Sequence, residues 1–216
     1  MKKLVVGLLV GSLAFGGVSL ATDSVETFKW AYDQGIYSLS SGLLWSSHLR
    51  RQEFAPILRG YISKVAKKDY TDRWCDTKDL YKADSKYQED LKVLCGYGIL
   101  RGEKNNLLPT RYLSTAHAVT LVMRVVDGYQ KEATGGKHRA TPYFERAKAL
   151  GYEGILPIYY RKTMPITLEQ LVNFLYSVEH PHQAISTTVS TQWTSHSTSF
   201  KLSDEALRKL AEIMAK

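Results

Sequence analysis

The chain has 216 residues, 44% of them hydrophobic and 23% charged, with a formal net charge of +8. That composition excludes collagen-like and intrinsically disordered chains and leaves enough apolar residues for a packed core. The cationic excess suits an anionic polymer, a lipid surface or nucleic acid, and does not choose among them.

Residues 1–21 begin with Lys2 and Lys3, run through an apolar stretch from Leu4 to Val18 and end on the small residues Ser19 and Ala21. This is the pattern of a cleavable secretory signal peptide. The alternative, a retained N-terminal anchor, is disfavoured by the short core rich in glycine and serine. Without Lys2 and Lys3 the excess falls to six positive charges. Export removes nucleic acid from the expected partners. No other segment approaches membrane-spanning length, so no transmembrane anchor is expected after cleavage.

A glycine-turn-helix unit then recurs three times. Apolar-periodic runs end at Gly35, Gly98 and Gly151, and a second helical run begins 16 or 17 residues later, at Arg51, Thr115 and Leu168. Successive units lie 63–64 and then 53 residues apart at either landmark. Landmarks that keep their separation while the gaps change mark one supersecondary unit used three times. The units are residues 22–69, 70–130 and 138–182. Their first helices carry capping signals: Asp23 with Glu26, Ser85 with Gln88, and Thr141 followed by Pro142 at the first helical position. The second helices have the stronger apolar faces, among them Phe54, Ile57 and Leu58, Val119 and Val122, and Leu171 and Phe174. No stretch alternates with period two for long, so the fold class expected is all-α.

Cys75 and Cys95 are the chain's two cysteines. In an exported protein an even count favours a disulfide over buried thiols or an incomplete metal pair. Cys95 falls in the last turn of the helix carrying Leu91 and Leu94, and the stretch after Cys75 is long enough to run back along it. Closing such a loop stabilises by roughly 3 kcal/mol.

The segment from Cys75-Asp76 through Leu91, Leu94, Gly98-Ile99, Gly102 and Pro109 to Leu113-Ser114-Thr115-Ala116 resembles an S-layer homology module. The first unit is similar in Trp30-Ala31, Gly35-Ile36 and Leu49-Arg50-Arg51-Gln52-Glu53-Phe54-Ala55, and the third in Pro165-Ile166-Thr167-Leu168-Glu169. The resemblance covers about residues 23–182. It implies an all-α, pseudo-threefold bundle whose second helices gather centrally, with grooves between modules. It also implies attachment to the cell envelope through an anionic secondary cell-wall polysaccharide.

The family's Thr-Arg-Ala-Glu helix start has a physical reading. The Thr and Glu form a capping box, and the Arg at the first helical position can grip a sugar carboxylate with two hydrogen bonds. The first unit keeps Arg51 and Glu53, with Arg50 at the cap. The second has Thr115 where the arginine stands and His117 where the glutamate stands, and the third has Leu168 at the arginine position. The expected ligand-binding residues are therefore Arg51 and Arg50, with Glu53 beside them and Trp45 or Trp30 as a stacking surface for a sugar ring. Replacing Arg51 with Ala is expected to abolish binding at little cost in stability.

Other chemistry is poorly supplied. His180 and His182 flank Pro181 without a cluster of carboxylates or thiols, so no metal site is expected. Glu89 and Asp90 read as the solvated side of an amphipathic helix. No Gly-x-Ser-x-Gly elbow is present, and neither catalysis nor a cofactor is expected. Residues 183–202 form a Ser/Thr-rich linker. Residues 203–216 carry Leu207, Leu210 and Met214 on one side of a short helix, which needs a docking surface here or on a partner. The expectation is thus a secreted, non-catalytic protein of the outer cell envelope that binds surface polysaccharide or organises surface-layer proteins. The competing expectations are a degenerate bundle making only protein–protein contacts and a secreted wall hydrolase.

Overall fold

Among the described residues six α-helices satisfy the apolar periodicity: α1 (Leu20–Asp33), α2 (Arg51–Gly60), α3 (Ser85–Gly96), α4 (Thr115–Val126), α5 (Thr141–Ala149) and α6 (Leu168–Glu179). The computed structural model describes residues 20–70, 75–102, 105–128, 138–152 and 162–181. Most of the expected signal peptide, the Ser/Thr-rich linker and the C-terminal helix lie outside the described residues. Within them the fold is all-α, and β-type pairing is confined to three isolated bridges. No described helix is long and apolar enough to cross a membrane.

Helix starts depart from the expected caps by small shifts, each with a local cause. α1 begins at Leu20, so Asp23 lies inside it. Glu26 serves the tertiary structure instead, accepting from the Tyr176 hydroxyl at 2.7 Å and tying α1 to α6. Ser85 is the first residue of α3 and Asp84 is its cap. Asp84 is fixed from outside, its N–H donating to Gln52 Oε1 at 3.1 Å and its carboxylate accepting from Gln52 Nε2 at 2.9 Å. α5 starts at Thr141 with Pro142 in its first turn, where the missing N–H costs nothing. The Thr167–Gln170 capping box of α6 forms with both hydrogen bonds in place, at 3.2 and 3.0 Å.

The first helices end alike. Gly35, Gly98 and Gly151 take φ of 63°, 73° and 75°. In each case the following residue reaches back five positions: Ile36 N–H to the Ala31 carbonyl, Ile99 to Leu94 and Tyr152 to Ala147, at 2.9–3.1 Å. This is the Schellman closure, which a left-handed glycine permits without a Cβ penalty.

The second helices begin at a shared junction. Leu49 N–H donates to the Ile166 carbonyl, Leu113 N–H to Leu49 and Ile166 N–H to Leu113, at 2.9, 2.8 and 3.0 Å, closing a ring. The next residues repeat the exchange. Arg51 and Gln52 donate to the carbonyls of Arg111 and Pro109, Thr115 and Ala116 to Met164 and Lys162, and Leu168 and Glu169 to Ser47 and Trp45. The first N–H groups of a helix have no partner within it, and here a neighbouring segment supplies one.

Side-chain packing follows the same order: α2 lies on α3, α4 on α5 and α6 on α1. One core runs through all of them, including Phe28, Phe54, Leu58, Leu94, Val119, Val122, Phe144, Leu171 and Phe174. Each such side chain contributes about 1.5–3 kcal/mol by burial. Cys75 and Cys95 are disulfide-bonded with their Cα atoms 5.3 Å apart, which ties the segment ahead of α3 to its last turn.

Candidate functional site

Arg51, at the first position of α2, is only 6% exposed. Its Nη1 donates to the Leu107 carbonyl at 2.9 Å. It stands at one side of a cavity of about 540 Å³ that also receives Arg101 from the turn after α3, His117 and Arg124 from α4, and His138 and Arg139 from the segment before α5. Apolar side chains, Leu113 and Leu121 among them, complete the walls, and no acidic residue is among the described lining residues. Two further guanidinium groups are, like that of Arg51, steadied by the backbone. Arg124 Nη1 donates to the Ile99 carbonyl at 2.9 Å and Arg101 Nε to the Gly98 carbonyl at 3.4 Å. The Arg124 guanidinium also sits 5.9 Å from the Tyr143 ring centroid.

His117 registers both its enclosure and the facing positive charges. Although the residue as a whole is exposed, the surroundings of its ring push its pKa down to about 4. The first cause is enclosure of the ring, and the charges of Arg51, Arg111, His138 and Arg139 follow. The ring is therefore neutral at neutral pH, and its Nδ1 lies 2.8 Å from Ser114 Oγ, the cap of α4. A walled concavity lined by one sign of charge concentrates counter-ions, and guanidinium groups match carboxylate and phosphate geometry.

The residues expected from the sequence are distributed unequally around this cavity. Arg51 lines it. Arg50 is exposed at the cap of α2, where its N–H donates to Glu53 Oε2 at 2.7 Å. Glu53 thus serves the helix start. Trp45 is 5% exposed and packs edge-on against Phe28 and Tyr37, with centroids 5.1 and 6.0 Å away, so its faces are covered by core. Trp30 lies on the α1–α6 side against Tyr176 and His180 and does not line the cavity. The N–H groups of Arg51 and Gln52 at the start of α2 are bonded to the Arg111 and Pro109 carbonyls. An anion here meets side chains.

Arg101, Arg124, Arg139, His117 and His138 were not found by sequence reasoning as members of a site. The signal for Arg101 was its place inside the Gly-Ile-x-x-Gly turn. Arg139 lacked one, standing 88 residues from Arg51 in the chain. Among the described residues no group of three His, Cys, Asp or Glu could hold a metal ion. No family model matches the chain, and no curated protein matches it either.

Proposed function

We propose that this chain is an exported, non-catalytic protein of the cell envelope, built from three S-layer-homology-like units, that binds an anionic wall or surface polysaccharide in the cleft beside Arg51. The observation that carries this reading is the convergence of Arg51, Arg101, Arg124 and Arg139 on one cavity. An acidic sugar offers a carboxylate for bidentate pairing with a guanidinium and a ring face for the apolar wall of Leu113 and Leu121. The ring of hydrogen bonds at the helix starts, the three matching glycine closures and the cyclic packing order support the pseudo-threefold arrangement. Thr115 and Leu168 stand where Arg51 stands in the first unit, so the reading assigns one binding cleft and not three.

Co-sedimentation of the purified protein with envelope polysaccharide tests this. Arg101 and Arg139 are exposed, so the double substitution Arg101→Ala/Arg139→Ala is expected to reduce sedimentation at least tenfold with little change in thermal stability. Arg51→Ala is expected to lose binding and also about 1–3 kcal/mol of stability, because it strips the buried Leu107 carbonyl of its donor. The burial of Arg51 and this bond put the expected cost above the small one read from the sequence. Binding that survives the double substitution and follows only ionic strength would refute a specific cleft. Release of reducing sugar would instead mark a hydrolase. Absence of any sedimentation would favour protein–protein contacts.

A further inference from the structure

The carbonyl that holds Arg51 is itself held by a buried carboxylate. Leu107 belongs to a turn in which two non-glycine residues, Asn105 and Leu108, have φ of 64° and 53°. A bulky side chain occupies that region only where its surroundings impose it. Asp79, 3% exposed, imposes it here: Oδ1 accepts from Leu107 N–H at 2.7 Å and Oδ2 from Leu108 N–H at 2.8 Å. The Lys78 N–H adds a bond to the Asn105 carbonyl at 2.9 Å.

The segment carrying Asp79 is anchored at both ends. Upstream, Cys75 is bridged to Cys95 in α3. Downstream, Asp84 is held by Gln52, the neighbour of Arg51 in α2. The turn at 105–108 is therefore clamped between Asp79 on one side and Arg51 on the other, and an unbroken chain of bonds runs from the disulfide to the cleft.

We propose that Asp79 is a positioning residue for the cleft, holding the Leu107 carbonyl so that it aims the Arg51 guanidinium, and that the Cys75–Cys95 bridge anchors Asp79 in that role. This rests on the reading of the cleft as an anion site. Losing either device lets the turn relax and Arg51 reorient, which weakens anion binding although neither group touches the anion. Binding in the cleft is thereby linked to the redox state of the bridge.

The test uses the full chain with inorganic phosphate as the probe, followed by calorimetry and by NMR of the Arg51 Nε–H and the Leu107 and Leu108 amides. Asp79→Asn keeps the size of the side chain but turns one acceptor into a donor. It is expected to bind phosphate about tenfold more weakly, to shift the Arg51 Nε–H signal and to speed exchange at both amides, with the helical circular dichroism retained. Reducing the bridge in the wild-type chain is expected to weaken binding about threefold with the same Arg51 shift. Glu89→Gln, at an exposed carboxylate on α3 away from the turn, should change neither.

A folded Asp79→Asn protein with wild-type affinity and an unmoved Arg51 signal overturns the proposal, as does an equal loss in Glu89→Gln. If Asp79→Asn does not fold, reduction of the wild-type bridge decides the matter, and unchanged affinity overturns the link. If the wild-type chain takes up no phosphate, the anion-site reading falls. The positioning link is still read from the Arg51 signal, which Asp79→Asn or reduction must shift.

Discussion

His117 concentrates the pH dependence of the cleft in one side chain. Its folded pKa of about 4 lies below the ordinary 6.5 because of ring enclosure and then the facing charges of Arg51, Arg111, His138 and Arg139. Between those two values the unfolded chain binds a proton that the folded chain does not. Stability therefore falls as pH drops from 6.5 to 4, with no contribution from this group above 6.5 and the full penalty below 4. His117→Gln is expected to flatten that part of the profile, and thermal unfolding at a series of pH values in both proteins measures it. Equal slopes would show that neither enclosure nor the facing cations act on this ring. An anion in the cleft favours the imidazolium, so phosphate should also flatten the wild-type fall.

At the scale of elements, the turn after α3 must bend sharply to deliver Arg101 to the cleft, and Gly102 makes that bend. Its φ is +69°, and a Cβ added there would lie 2.5 Å from the Asn106 carbonyl oxygen. Gly98, at φ +73°, has open space around the same position. Gly98→Ala is expected to cost about 1 kcal/mol through backbone strain alone. Gly102→Ala should cost about 2 kcal/mol or more, because backbone must also move. It should lower anion binding as well, since the displaced turn carries Arg101. Urea unfolding of the two variants compares them; equal losses would mean that the close approach to Asn106 relaxes freely. The helix starts carry a related lesson. Asp84 caps α3 where Ser85 was expected, because Gln52 of α2 satisfies Asp84 from a distance no local pattern records.

At the scale of the whole described fold, the three junction segments exchange hydrogen bonds in a closed ring, and α2 lies on α3, α4 on α5 and α6 on α1. None of the three helix starts can leave without unpairing another. One cooperative unfolding transition is therefore expected in calorimetry, and two resolved transitions would contradict the interlock. Cys75 and Cys95 are 20 positions apart, so reducing their bridge should lower stability by about 3 kcal/mol while keeping a single transition.

The helical class, the three glycine closures and the cysteine pair were legible in the chain because they depend on local chemistry: 3.6-residue periodicity, left-handed glycine and two thiols within reach along one helix. Arg51 was singled out by the helix-start motif, and its place beside a cationic cavity depends on that motif's position in the first unit. The remainder of the cleft was decided by tertiary structure. Arg101, Arg124 and Arg139 sit on separate segments without common spacing, and only the order in which helices pack brings their charges together. Burial likewise assigned Trp45 to the core and Arg51 to a double role. A side chain's exposure is set by what the rest of the chain lays over it, and local sequence does not contain that information.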